Sequence, residues 1–343
     1  MSDIYEDIKE IFPEWDNSLY GDNPFFLKLS ASYKQLKSKN LPLIFDIHSC
    51  SQAMNVNAYL LRGVIKDIDK LYRTFNIPKQ SGGTRLIEAP TPALLRCQKW
   101  IAYYILNEAE LHHSATAYRK NISILKNVQD HLGQKHVLKV DLKDFFHSIK
   151  INRVIAVFKK LGYLQDAALI FAKICCHKNR LSQGSATSPT LSNIIAKRLD
   201  NRFYGLAQKY NLNYTRYSDD IAFSGEHIQK NLIQIVNKII NDEGFSINHK
   251  KTRLYVKQGK RIITGVSVSE ATPKIPRDKK RAIKQEVYEL LKSNNIQDFI
   301  KTTHQDVFFL ESLKGKLYFW CHIEEDAIFP REALEKLKQF EAL

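Results

Sequence analysis

Two periods of apolar residues alternate along the middle of the chain, and each change of period marks a change of element. "HVLKVDL" (His136 to Leu142) reads as a buried strand. Leu191, Ile194, Ile195, Leu199, Phe203 and Leu206 then recur at the spacing of an amphipathic helix. Between Tyr214 and Ser224, two short runs rich in aromatic and β-branched residues flank Ser218-Asp219-Asp220 and predict a hairpin. Ile228, Leu232, Ile235, Val236, Ile239 and Ile240 share one face of a second helix, which Gly244 is placed to end. Strands alternating with helices predict an α/β layer in which helices cover one face of a small sheet. No internal repeat is visible, and "SEATPKIP" (Ser269 to Pro276), with two prolines, marks a soft boundary.

Composition narrows the partners. The 343 residues carry 52 Lys and Arg against 36 Asp and Glu, a formal charge of +16, and 44% are hydrophobic, enough for a packed core. The excess is concentrated: Lys250 to Lys284 holds twelve Lys and Arg against Glu270 and Asp278. Such a segment suits phosphate tracking, and nucleic acid is favoured over membrane because no apolar run is long enough to span a bilayer. The acidic opening "MSDIYEDIKEIF" is neither a signal nor a transit peptide, so a cytoplasmic location is expected. Five cysteines without a CxxC pair indicate neither a disulfide framework nor a zinc site. His147 and the Cys175-Cys176-His177 run fit no zinc spacing and read as structural.

Against that basic background the acidic residues of two strand ends stand out. Asp141 closes the first strand, and a buried strand seldom carries an Asp unless something positive meets it. Asp219 and Asp220 sit side by side in the hairpin. Each alone reads as an ordinary cap or turn residue. Gathered together, three carboxylates repel one another unless cations sit among them, and hard oxygen ligands suit Mg²⁺ rather than zinc. Two such ions about 4 Å apart form the clamp of phosphoryl transfer, activating a hydroxyl nucleophile and stabilising a leaving pyrophosphate.

The order of blocks carries a resemblance. Asp141 followed by "YSDD" (Tyr217 to Asp220), with "LSQGSATSPTLSNIIAKRLD" between them, resembles the palm of a reverse transcriptase through Gln183, Gly184, Ser188 and Pro189. "SGGTRLIEAPTPALLRCQKWI" (Ser81 to Ile101) is similar to the fingers motif of that family, and "GFSINHKKT" (Gly244 to Thr252) to the block after the hairpin. Within the family the chain resembles bacterial retron reverse transcriptases through "KICCHKNRLSQG", "YTRYSDDIAFS", the Asn127-Val128-Gln129-Asp130-His131 element and "IITG" (Ile262 to Gly265). Val128, Ile263 and Ser218 depart from the commoner residues at their positions.

The resemblance implies an α/β (α+β) right-hand fold: an N-terminal helical extension (1–44), fingers and palm (45–265) and a mostly helical thumb (266–343). It implies an RNA-directed DNA polymerase using two Mg²⁺ ions and dNTPs, with Asp141, Asp219 and Asp220 catalytic. The main chain of Leu142 is implied as a further metal ligand. Arg85 would clamp the triphosphate, Phe146 would act as a steric gate under the sugar, and Gln183 and Gly184 would line the nucleotide site. Lys251 or Lys250 would neutralise the pyrophosphate. Implied partners are a cognate structured noncoding RNA (msr-msd), its branched RNA-linked DNA product (msDNA) and a separately encoded effector in defence against phage, with no membrane. Other readings are a group II intron-like or unbranched defence enzyme, or a catalytically idle RNA-binding module on the same fold.

Overall fold

The computed structural model describes residues 24–78, 82–256, 259–293, 296–303 and 306–341. Of the expected N-terminal extension, residues 1–23 lie outside these. The elements in chain order begin with helices α1 (Pro24–Ser38), α2 (Ile47–Met54) and α3 (Ala58–Lys66), strands β1 (Tyr72–Pro78) and β2 (Thr84–Pro90), and helices α4 (Pro92–Tyr104) and α5 (Ile124–Gln129). The middle of the chain forms β3 (His136–Asp141), α6 (Phe145–Ser148), α7 (Ile151–Leu161), α8 (Gln165–Cys175), α9 (Ser188–Lys209), β4 (Asn213–Tyr217), β5 (Asp220–Gly225) and α10 (Leu232–Asp242). The remainder is β6 (Arg253–Tyr255), β7 (Ile262–Ile263), β8 (Val266–Ser267), α11 (Arg277–Lys292), α12 (Ile296–Thr303), α13 (Phe309–Ile323) and α14 (Ile328–Glu341).

Two compact units interleave along the chain. The first takes the residues up to Tyr118 together with Leu142–Arg202 and Ile239–Ser246. Its helical hub is α8, whose buried face alternates small and large residues, Ala167, Ala168, Phe171, Ala172 and Ile174. The alanines let α2, α3, α4 and α7 approach closely, and Phe171 fills the space between with Phe158 and Tyr163, ring centroids 5.2 and 4.9 Å away. The β1–β2 hairpin pairs in antiparallel register from Tyr72↔Pro90 to Pro78↔Thr84.

The second unit holds an antiparallel sheet of order β4-β5-β3-β6. The predicted buried strand is β3 and the predicted hairpin is β4–β5, with Asp141 opposite Asp220 in the register. Val137 of β3 and Ala222 of β5 pack into one cluster with Ile263, Val266, Leu313, Leu317 and Trp320. Val268, just before the proline-containing stretch, and Ile275, within it, lie in that same cluster. Helix α11 is driven onto it by Ile283, Val287 and Leu290, buried at helical spacing while most of its charged residues stay outside. Each such side chain contributes roughly 1.5–3 kcal/mol of apolar burial.

Candidate active site

The acidic tip is built by strand register. A two-residue loop, Ser218-Asp219, joins Tyr217 to its partner Asp220. Ser218 has φ of +60°, the left-handed region that glycine usually supplies in such loops. Arg216 stabilises this turn from within: its guanidinium is fully buried and donates to the Ser218 carbonyl at 3.1 Å. Pairing of β3 with β5 then sets Asp141 directly across from Asp220, a like-charge pair that a sheet tolerates only with compensation.

Two lysines supply part of it. Lys251 Nζ lies 3.0 Å from Asp141 Oδ2, Asn248 Nδ2 donates to Asp141 Oδ1 at 2.9 Å, and Lys139 Nζ stands 3.3 Å from Asp220 Oδ1. The sequence left Lys250 and Lys251 undecided, and the structure puts Lys251 on the carboxylate. Asp219 stays undercompensated. Burial first, then the charges of Asp220 and Asp141, push its carboxyl up to about 6. Burial also raises Asp220, against the pull of Lys139. For Lys251, burial works to lower the ammonium, but the hydrogen bond and charge of Asp141, with Asp219 and Asp220 behind it, raise it on balance.

These oxygens are the donor set a hard divalent cation prefers, and the penalised charge on Asp219 is what such a cation would relieve. Among the described residues, however, no group of three or more His, Cys, Asp or Glu side chains is arranged to hold a metal ion as it stands. Asp141 and Asp220 are engaged by lysines instead.

The base of the same hairpin is different chemistry. His131 is fully buried, its Nδ1 2.6 Å from Ser224 Oγ and its Nε2 2.8 Å from Thr215 Oγ1. The Thr215 hydroxyl proton is donated to the Asn127 carbonyl at 3.1 Å, so His131 Nε2–H must donate to Thr215 and Nδ1 must accept from Ser224. That assignment requires a neutral ring, and burial lowers the His131 pKa to about 3. Asn127 Nδ2 in turn donates to Thr264 Oγ1 at 3.2 Å, so the Asn127–His131 element and the "IITG" element touch. Both Asn127 and His131 are buried, which makes this element part of the core.

The remaining predicted residues belong to the first unit. Arg85 is exposed on β2. Leu142 follows directly on β3 with its side chain buried. Phe145 packs in the core, 5.5 Å from the Phe245 ring, whereas Phe146 is only half-buried and has the exposed Tyr118 ring 6.3 Å away. Gln183 is half-buried and its carbonyl accepts from Glu88 N–H at 2.8 Å. Gly184 permits a close backbone approach, but the neighbour is β2: with φ of +133°, any Cβ would stand 2.6 Å from the Glu88 carbonyl oxygen. Sequence reasoning missed Lys139, Asn248, Tyr118 and Glu88.

The basic segment is less uniform than its composition. Lys260 pairs with Asp278, Lys274 with Glu270 and Lys280 with Glu324. Arg261 is buried, donating to the Lys135 and Ser269 carbonyls. Lys279 and Arg281 are exposed. All five cysteines are free, four of them buried. No helix among the described residues is long and apolar enough to cross a membrane.

The profile of the family described as reverse transcriptase (RNA-dependent DNA polymerase) matches residues 77–284. The chain is 34% identical over 269 residues to the Retron Ec86 reverse transcriptase of Escherichia coli, covering 77% of this chain and 84% of that one. It is 29% identical over 287 residues to the Retron Mx65 reverse transcriptase of Myxococcus xanthus, covering 77% and 67% respectively. Among solved structures, a foamy viral protease-reverse transcriptase in complex with double-stranded DNA superposes with a TM-score of 0.42 at 18% identity, over 72% of this chain and 35% of that one.

Proposed function

Because the chain belongs to the reverse transcriptase family, as a bacterial retron reverse transcriptase and hence an RNA-directed DNA polymerase, we propose that it copies a cognate structured RNA into branched, RNA-linked single-stranded DNA. The observation that carries the catalytic part is the hairpin tip, where half-buried Asp219 and Asp220 gather beside buried Asp141 and the Asp219 carboxyl is pushed up to about 6, by burial first and then by its neighbours' charges. Asp141, Asp219 and Asp220, with the Leu142 carbonyl, would hold Mg²⁺, and Lys251 and Lys139 would give way on Asp141 and Asp220. Bound there, the two ions would favour ionisation of the attacking hydroxyl and offset charge on the departing pyrophosphate.

The chain's own groups do the rest. A ribose hydroxyl of the primer attacks the α-phosphorus of the dNTP, its proton leaves to solvent, and the bond to the β-phosphate oxygen breaks to release pyrophosphate. Arg85 would bind the triphosphate by charge-assisted hydrogen bonds. The Lys251 ammonium, freed from Asp141, would neutralise the pyrophosphate. Phe146, half-exposed beside core Phe145, would exclude a 2′-OH, and Gln183 and Gly184 would border the nucleotide. Residues 45–265 would serve as fingers and palm, 266–343 as thumb and 1–44 as an extension. The enzyme would act in the cytoplasm in defence against phage, with a separately encoded effector.

The test is the nucleic acid that accompanies the protein. Expressed with its native flanking DNA, it should copurify with one abundant structured RNA carrying a short DNA. An enzyme that cleaves 2′,5′ linkages should remove the RNA remnant from the DNA 5′ end. DNA with a free or protein-linked 5′ end would reject the branched start in favour of an unbranched defence enzyme. Loss of dNTP incorporation in Asp219→Ala would separately exclude an idle module.

A further inference from the structure

The two histidines that fitted no zinc spacing converge on one buried carboxylate. Glu88 of β2 is 1% exposed, and His147 Nε2 and His177 Nδ1 each stand 2.8 Å from one of its oxygens, with Arg180 Nη2 at 3.5 Å. Burial works to raise the Glu88 carboxyl, but the hydrogen bonds from His147 and His177, and then their charges, hold it below the usual range. As an ionised acceptor it requires both rings to donate. His177 is itself fixed by stacking on Tyr72, 4.4 Å between centroids, and the Tyr72 hydroxyl accepts from Gln98 at 2.8 Å.

From these contacts we infer that Glu88 is a positioning residue for nucleotide selection. Helix α6, which carries Phe146, has only four residues and begins at Asp144 with φ of +47°. So short a helix has no stability of its own, and its placement comes from tertiary contacts. Phe145 anchors one side in the core, and the bond from His147 to Glu88 anchors the other, with Phe146 between them. The Glu88 main chain also holds Gln183 and abuts Gly184. Arg85 lies three residues earlier on the same strand. One carboxylate therefore ties together the strand, helix and loop that carry Arg85, Phe146 and Gln183. The inference rests on the roles proposed above for those residues.

Glu88→Gln keeps the size but replaces one acceptor oxygen with a donor that faces an N–H. It should raise the dNTP KM and lower discrimination against ribonucleotides, each by about five- to tenfold, while kcat stays within about twofold. Phe146→Val should lower discrimination by itself, and combining it with Glu88→Gln should add little further loss, because both act through one ring. If Glu88→Gln fails to fold, His147→Leu against His147→Gln provides the same comparison, with Gln able to donate to Glu88 and rescue the selectivity. A Glu88→Gln or His147→Leu enzyme with a lowered Tm but unchanged KM and discrimination overturns the inference. Should Phe146→Val itself leave discrimination untouched, the gate assignment fails instead.

Discussion

The two ends of the β4–β5 hairpin show what a sheet does with polar groups for opposite purposes. At the base, His131, Thr215, Ser224 and Asn127 pass hydrogen bonds from one to the next, and the ring is held neutral. At the tip, a few residues away, half-buried Asp219 and Asp220 crowd buried Asp141 at a turn with Ser218 in the left-handed region, and Asp219 is pushed up to about 6. The base satisfies every demand of its chemistry and stabilises the sheet. The tip leaves charge on Asp219 undercompensated, which costs stability and is what the proposed metal ions would offset. Polar residues in a core are therefore best sorted by whether their charge is neutralised, not by how buried they are.

The largest effect should come from dismantling the tip. Asp219→Ala or Asp220→Ala should abolish dNTP incorporation while the protein still folds. Removing the repulsion should raise the melting temperature of the metal-free protein, by on the order of 1–3 kcal/mol of stability. Full primer extension by the double variant would sink the catalytic assignment.

Dismantling the base should do the reverse. His131→Ala leaves the Ser224 hydroxyl without its acceptor and opens a cavity, so a loss of about 2–4 kcal/mol is expected in urea unfolding. Acid should act through the same ring. The unfolded histidine takes a proton near its ordinary 6.5, whereas the folded one resists until about 3. Stability is thus full above about 6.5 and falls as pH drops, with His131 accounting for roughly 2 kcal/mol between pH 6.5 and 5. The His131→Gln variant should show a correspondingly flatter profile, and equal slopes would argue that the folded ring is protonated.

A smaller, more selective effect is expected at α6. Phe146→Val should raise ribonucleotide use by about tenfold with little loss of stability, whereas Phe145→Val should cost about 1–3 kcal/mol and leave selectivity alone. Unchanged discrimination in Phe146→Val would remove the gate.

Much of this could be read from the sequence because it is local. Period-two and period-3.6 patterns located β3, the hairpin and α9, and the adjacency of Asp219 and Asp220 signalled the tip. The second helix begins at Leu232, so Ile228 falls just outside it although it is buried. What the chain did not disclose lies in contacts between distant positions. Asn127 meets Thr264 across 137 residues, and Glu88 meets His177 across 89. No spacing rule encodes such pairs, so His147 and His177 could be judged poor zinc ligands without revealing what they hold. Likewise Lys139 reads as a polar interruption in a strand until the register sets it beside Asp220.

The contrast between neutralised and uncompensated charge extends, at its mildest, to the basic segment. The twelve cations between Lys250 and Lys284 look alike in sequence. In the fold, Lys280 pairs with Glu324, lies 5.2 Å from the Trp320 ring centre and so helps seat α11 on the core. Reversing its charge should lower the melting temperature, as loss of a partly buried pair does. Lys279 and Arg281 are exposed on the same helix, where a phosphate can reach them. Phosphate contacts release counterions, so each one lost should flatten the dependence of log K on log salt by about 1. Lys279→Glu with Arg281→Glu should therefore weaken RNA binding at low salt, leave the melting temperature nearly unchanged and reduce the slope by about 2. An unaltered slope would mean that these side chains track no phosphate and that the local charge serves the fold alone.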